Sequence, residues 1–460
     1  MSKKILIYGI GTFFSKILVF LMVPIYTRVF STADYGYYDV LISDLQMVVS
    51  ICFVEIWSGI MRYMFADNNK YKSIKAFLRL LPFMIVAYAF VIIILSHVVA
   101  LKYPAAICIY GIAYLLFNVF NTICRGLERN IDYVISGLIY TIVSCGLSIF
   151  FSVYLHKGIE TLFWSQVIGY LCTVVYVELR THALFSAIKV KVDGPYLIKI
   201  LKYSIPLMLN SFSFLFLGTY NKNLILSRLG ESTSGQYAFV SKFSSIVSVL
   251  ISIYSLAWQE EAFVNADTEN RNDKYSFYVN SFFKLIGIGI IPFAFVSYIF
   301  APFVGGTNYL SSGILIPFAV LSSYIADVSG MFSILIAVEE KTFQTLISTV
   351  LGAIVNVILV NLLIIPMGAN GANISLCIGF GVASIVRFIF VEKAMHLKIE
   401  LRWILYTVLG ICAIYYFALL SKYALWIAGI ISIVLWFLVN AKLIKGTCNT
   451  FINKIHGIQK

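Results

Sequence analysis

Lys16, Asp44, Glu55, Lys242, Lys284 and Asp327 stand inside long apolar runs of a 460-residue chain, and Arg28 and Arg228 close two such runs. Isolated charges of this kind hold and move ions or anionic groups rather than break covalent bonds. On insertion scales each costs roughly 2.5–3.5 kcal/mol at the centre of a spanning helix, so each implies a partner or a wet cavity. Lys16 lies about eleven residues into its run, roughly 17 Å at ~1.5 Å per residue. Its ammonium cannot easily snorkel from there to an interface, and Gly9, Thr12 and Lys16 share one helical face.

Asp44, Glu55 and Arg62 are separated by eleven and seven residues. At ~100° per residue this spacing returns each to nearly the same side of one helix. The stripe has two readings. Glu55 faces a cavity, or Arg62 is an interfacial anchor and Asp44 a near-interface cap. Lys242 and Lys284 lie close enough to opposite helix ends to snorkel. Asp327 is the isolated acid, with no charge after it until Glu339. It suits pairing with a cavity lysine or titration as a coupling site. Arg28 and Arg228 fit interfacial anchoring as well as phosphate contact.

No bond-breaking constellation accompanies these charges. The chain lacks a P-loop, a nucleophile elbow and a catalytic carboxylate pair, so neither enzyme activity nor ATP hydrolysis is expected. His97, His156, His182, His396 and His456 lie at or near loops without ligand spacing. The 8 cysteines are scattered, mostly in apolar runs and without CxxC, which suits small fillers of helices better than a disulfide framework. No cofactor or metal is expected. The 30 tyrosines read first as interfacial belts.

The elements that must position these charges follow from composition. Hydrophobic residues make up 60% and charged residues 12% of the chain, and mean hydropathy is +0.91. Soluble domains carry roughly 25% charged residues, and one water-soluble core stops growing near ~250–300 residues. A single soluble domain, a disordered chain and a nucleic-acid binder are excluded, despite the net charge of +13. An all-α polytopic membrane protein is expected.

Cutting at charges, Pro and Gly yields about fourteen transmembrane helices of the ~20-residue length a bilayer requires. They run roughly over 5–27, 37–61, 77–98, 104–124, 133–155, 161–179, 203–226, 236–258, 278–301, 311–337, 343–365, 372–391, 403–420 and 423–441. With the N-terminus in the cytoplasm, 25 Lys and Arg fall on the inner side and 6 on the outer, Lys222 among the latter. That asymmetry predicts both termini cytoplasmic. The N-terminal run has no cleavage signal and reads as an uncleaved first span.

Two six-span blocks look like copies. Arg28 to Gly36 corresponds to Arg228 to Gly235, offset by 200 at the arginine and 199 at the glycine. Ala66-Asp67 recurs as Ala266-Asp267, Arg125-Gly126-Leu127-Glu128 aligns with Ala337-Val338-Glu339-Glu340, and Lys157-Gly158-Ile159 with Asn370-Gly371-Ala372. An even span number keeps both copies in one orientation, so two six-helix lobes related by a pseudo-two-fold along the membrane normal are expected, with a cavity between them. The divisions are 1–182 for the first lobe, 183–202 for a cytoplasmic linker, 203–395 for the second lobe and 396–460 for two extra helices and a tail.

Two blocks carry a family resemblance. Pro24-Ile25-Tyr26-Thr27-Arg28-Val29-Phe30 followed by Asp34-Tyr35-Gly36, and Asn361 to Ala372 with Ile365-Pro366-Met367-Gly368-Ala369-Asn370-Gly371-Ala372, resemble the Wzx-type oligosaccharide-repeat-unit flippases. These form the polysaccharide branch of the multidrug/oligosaccharidyl-lipid/polysaccharide exporter superfamily. The resemblance covers essentially the first 395 residues. The C-terminal pair of spans departs from the twelve-span drug exporters.

The resemblance implies alternating access that moves a polyprenyl-diphosphate-linked oligosaccharide outward across a bacterial inner membrane, for O-antigen, capsule or exopolysaccharide. Membrane lipids, and the polymerase and chain-length proteins of the same pathway, are the further partners it implies. On the residues themselves, Lys16, Arg28, Lys242 and Lys284 are the candidate substrate-binding cations, and Asp44, Glu55 and Asp327 the candidate cavity acids or coupling sites. The rivals are a multidrug cation exporter, whose cavity should be acidic where this one has Lys16, and a membrane enzyme of polysaccharide assembly, for which the outer loops are too short.

Overall fold

A computed structural model of the chain describes residues 15–66, 69–98, 101–264, 268–339 and 341–458. Every regular element among the described residues is helical. Among the described residues, ten helices are long and apolar enough to cross a membrane, and up to twelve if each of two bent pairs counts as one span. The chain is an all-α polytopic membrane protein.

The ten single helices fall on ten of the fourteen expected spans, from Tyr71–Val98 through Lys422–Ala441. The bent pairs account for the expected spans 37–61 and 203–226. They are Thr32–Cys52 with Ile56–Phe65, bent by 55°, and Gly194–Ser213 with Phe216–Leu229, bent by 41°. The expected span 236–258 lies within the helix Glu231–Val264. The first, 5–27, lies partly outside the described residues, which begin its helical stretch at 15–21 and continue it as Val23–Val29.

Two compact units divide the chain, Met1–Ala238 and Phe239–Lys460. In the first, Leu45, Val49, Phe53, Ile60, Phe77, Tyr110, Val119 and Phe163 belong to one buried cluster. The helix Tyr71–Val98 turns Phe83, Val86, Phe90 and Ile93 outward, at 57–75% exposure. Their spacing of three and four residues makes a single helical stripe. Such a stripe would be a liability in water and is an ordinary lipid-facing surface in a bilayer.

Residues 183–202 are built into this unit. They form the short helix Ala183–Ile188 and the first turns of Gly194–Leu229. Lys75 Nζ donates to the Ile188 carbonyl at 3.2 Å, and Arg79 donates to that of Val192.

In the second unit, the helix Arg271–Phe282 passes through a π-helical turn, Phe283–Gly287, into Ile288–Gly305. Such a turn shifts backbone pairing by one residue and exposes carbonyls. The carbonyls of Leu285 and Lys284 accept from Trp436 Nε1 at 2.9 Å and Asn440 Nδ2 at 3.2 Å. The last helix thus docks where the π-helical turn leaves backbone carbonyls open to outside donors.

The Met367-Gly368-Ala369 turn joins the helices Thr342–Met367 and Ala369–Met395, with Gly368 at φ 59°. A side chain would strain that position. Two other helices end alike. Glu160–Thr181 stops at His182 and Ala369–Met395 at His396, both with left-handed φ near 47–48°. Each histidine N–H donates to a glutamate carbonyl four residues back, Glu178 or Glu392.

Candidate functional site

In the first unit the helix Thr32–Cys52 meets the end of Gly194–Leu229 and the start of Glu231–Val264. Ser31 caps the first of these: Asp34 N–H donates to Ser31 Oγ at 3.0 Å, and Ser31 Oγ donates to Asp34 Oδ2 at 2.7 Å. One step on, Thr32 Oγ1 and Ser232 Oγ share a hydrogen bond of 3.1 Å. A Cβ added to Gly36 would lie 2.4 Å from the Gly235 nitrogen, and one on Gly235 would lie 1.9 Å from the Thr32 carbonyl oxygen. Only glycines allow backbones this close.

Below that crossing two polar pairs join the same helices. Lys222 Nζ lies 2.6 Å from Asp39 Oδ2 and donates to Ser43 Oγ at 2.8 Å. Asn223 Nδ2 donates to Asp44 Oδ1 at 2.6 Å. Asp39 is buried and Lys222 and Asp44 are half-buried. A charged pair in so poor a solvent holds only because each partner satisfies the other. At the rim, Lys102 Nζ lies 3.7 Å from Glu231 Oε1.

Glu55 is set at a helix break. Val54 and Glu55 adopt φ of 52° and 44°, and Glu55 N–H reaches back five residues to the Ser50 carbonyl at 3.1 Å. A β-branched residue at positive φ is a genuine outlier, and such strain collects where function requires it. The 55° bend also interrupts the helical phase, so Asp44, Glu55 and Arg62 do not form one continuous stripe. Glu55 is half-buried and Arg62 is exposed.

Lys16 is exposed in the helical residues 15–21, ahead of a turn at Met22. Arg28 is exposed in the last turn of Val23–Val29, and Lys242 is half-buried in Glu231–Val264. Asp327 accepts from Ser248 Oγ at 3.3 Å. Lys284 Nζ lies 3.4 Å from Glu400 Oε1 and 5.3 Å from the Trp403 ring centroid. Glu400, in the connection before the helix Arg402–Leu420, also accepts from Arg402 and from Trp403 Nε1. The Arg402 and Trp403 donors, helped by the Lys284 charge, hold its carboxyl down to about 2.

Sequence reasoning missed Asp39, Lys222 as its partner, and Arg387. Arg387 is one of the 25 Lys and Arg that the charge asymmetry puts on the inner side, yet the structure buries it at 7% exposure. Its guanidinium donates to Ser348 Oγ at 2.8 Å, to Ser329 O and Oγ at 2.8 and 2.7 Å, and to Thr349 Oγ1 at 2.7 Å. These acceptors are neutral and lie on two other helices, so Arg387 joins three. The available hint was the helix register: Asp39 and Ser43 lie four apart on one face, but nothing local names Lys222.

The fold matches solved structures. A lipid II flippase, MurJ, in an inward closed conformation superposes with a TM-score of 0.71 at 12% identity, covering 96% of this chain and all of that one. An inward-facing multidrug resistance MATE family transporter gives 0.66 at 15% identity, covering 83% of this chain and 94% of that one. An outward-facing transporter of that MATE family gives 0.60 at 15% identity, over 86% and 96%. No curated protein sequence matches the chain. The family described as polysaccharide biosynthesis protein matches residues 1–258, more than half of the chain. This chain is a member of that polysaccharide biosynthesis protein family.

Proposed function

We propose that the chain is a flippase that moves a lipid-diphosphate-linked oligosaccharide repeat unit from the cytoplasmic to the outer leaflet of a bacterial inner membrane, by alternating access, for surface polysaccharide synthesis. One observation carries the choice within the fold. The lipid-flippase structure accounts for 96% of this chain and the inward-facing multidrug transporter for 83%. Membership of a polysaccharide biosynthesis family points the same way.

The chemistry agrees with that cargo. A diphosphate must shed water to cross, and fixed cations offset that cost. Lys16, Arg28, Lys242 and Lys284 are the proposed cations, Lys16 foremost for its depth in the first apolar run. Outward passage of about two negative charges from a negative cytoplasm releases ~2.3 kcal/mol per charge per 100 mV. Asp44, Glu55 and Asp327 are the proposed acids for closure or ion coupling. The charge asymmetry of the sequence supports a cytoplasmic position for both termini.

Deleting the protein tests this reading. Surface polysaccharide should vanish while its lipid-linked precursor accumulates facing the cytoplasm. Persisting polymer with altered drug sensitivity would favour the exporter instead.

A further inference from the structure

Three helices of the first unit bring tyrosine hydroxyls to one amide, and a fourth packs aromatic rings beside them. Gln166 Oε1 accepts from Tyr140 OH at 3.2 Å and Tyr170 OH at 3.4 Å, and Gln166 Nε2 donates to Tyr38 OH. The rings of Tyr140 and Tyr170 stack with centroids 4.6 Å apart and planes within 4°. Phe117 lies 4.8 Å from Tyr170 and 5.1 Å from Tyr140, and Tyr114 lies 5.7 Å from Tyr170. Tyr170 is buried, whereas Tyr38, Tyr114, Phe117, Tyr140 and Gln166 are half-buried. Side chains of four helices thus meet in one cluster whose members, apart from Tyr170, keep part of their surface exposed.

Depth rules out an interfacial belt. Tyr114, Tyr140 and Tyr170 each come ten residues after the first residue of their helices, Pro104, Asn130 and Glu160. At ~1.5 Å per residue that is about 15 Å, the middle of a ~30 Å core. Tyrosine favours the headgroup level, and a phenol or amide at mid-depth is costly unless bonded. Packing alone would be served by Phe and Leu at these positions, without hydroxyls to satisfy.

The arrangement instead offers a flat ring face bordered by hydrogen-bonding groups. Tyr140, backed by Tyr170, is the face. The Tyr38 hydroxyl accepts from Gln166 and so keeps its own proton to donate, and the Gln166 amide has a second N–H. A pyranose ring has the complementary surface, a patch of C–H groups on one face and hydroxyls around its edge. We propose that this cluster is the sugar-binding subsite of the first unit, taking one ring of the oligosaccharide on Tyr140 with Tyr38 and Gln166 as hydroxyl partners. The proposal rests on the flippase reading and adds a place for the carbohydrate distinct from the cations proposed for the diphosphate.

The test uses the full chain in cells that lack the native copy, reading surface polysaccharide and lipid-linked precursor per molecule of protein in the membrane. Tyr140→Phe and Tyr140→Trp keep a flat face and should retain at least about half the export. Tyr140→Leu and Gln166→Leu should lower export per molecule at least about tenfold and raise the precursor. Wild-type export per molecule in both Leu variants, with export still abolished by deletion, overturns the subsite and leaves the flippase reading standing. Unchanged polysaccharide on deletion overturns both. A change confined to resistance to an organic cation such as tetraphenylphosphonium would make the cluster a cation cage and overturn the sugar assignment.

Discussion

Thr32 and Ser232, separated by 200 residues, share a 3.1 Å hydrogen bond between their hydroxyls. The block correspondence expected from the sequence pairs Gly36 with Gly235, whose backbones approach closely beside that bond. Thr32 opens the helix Thr32–Cys52 and Ser232 lies in the first turn of Glu231–Val264, so two helix starts meet at this contact. The contact depends on small residues, because close backbone approach is what holds helices together in lipid.

A methyl group at this crossing has nowhere to go. Gly235→Ala places Cβ against the Thr32 carbonyl, and Gly36→Ala against Gly235. Each should destabilise by about 1–3 kcal/mol through forced separation, read as a lower unfolding temperature in detergent. Thr32→Cys with Ser232→Cys should form an oxidant-dependent cross-link that halts export and is reversed by reductant. Full export with the cross-link in place would show that this contact need not part.

Asp39 and Lys222 should behave as a coupled pair. Lys222→Ala strands a buried carboxylate, at a cost near the lower end of ~3–5 kcal/mol because Lys222 keeps 21% exposure. Asp39→Asn combined with Lys222→Met should cost less than the sum of the single changes. A double-mutant cycle on thermal unfolding measures the difference, and additive values would remove the coupling.

Arg387 is expected to matter for stability before transport. Its fork supplies acceptors on two neighbouring helices, a geometry the point charge of Lys cannot copy. Arg387→Lys and Arg387→Met should both reduce membrane abundance, the latter on the order of 3 kcal/mol in stability, since several buried hydroxyls lose a charged partner. Normal abundance of Arg387→Met would refute the three-helix role.

For Lys16 the order is reversed. Lys16→Arg should keep part of the export because charge survives, while Lys16→Ala should abolish most of it at normal abundance. Lost abundance in Lys16→Ala would instead make Lys16 a structural ion-pair partner. Normal export would take it out of the site.

Glu400 sets an acid limit. Its folded pKa, about 2, lies below the unfolded value of about 4.3. The contribution is therefore complete above that unfolded value and is lost as pH falls toward 2. Thermal unfolding between pH 3 and 7 should show a shallower acid decline in Glu400→Gln than in wild type. Parallel declines would mean that the Arg402, Trp403 and Lys284 contacts do not stabilise the charged form.

The class and most of the spans were legible in the residues alone. In lipid each helix must satisfy its own backbone, so apolar length is a local property, and Tyr71–Val98 or Arg402–Leu420 can be found without knowing a neighbour. The break at Val54 and Glu55 was not legible, because neither a proline nor a glycine marks it. The partnership of Asp39 with Lys222 spans 183 residues. Arg387 looked like any inner-side cation, and the tyrosines around Gln166 like interfacial ones. Hydropathy reports how deep a side chain lies along its helix. Which way it points depends on helix packing, and only the tertiary structure decided that.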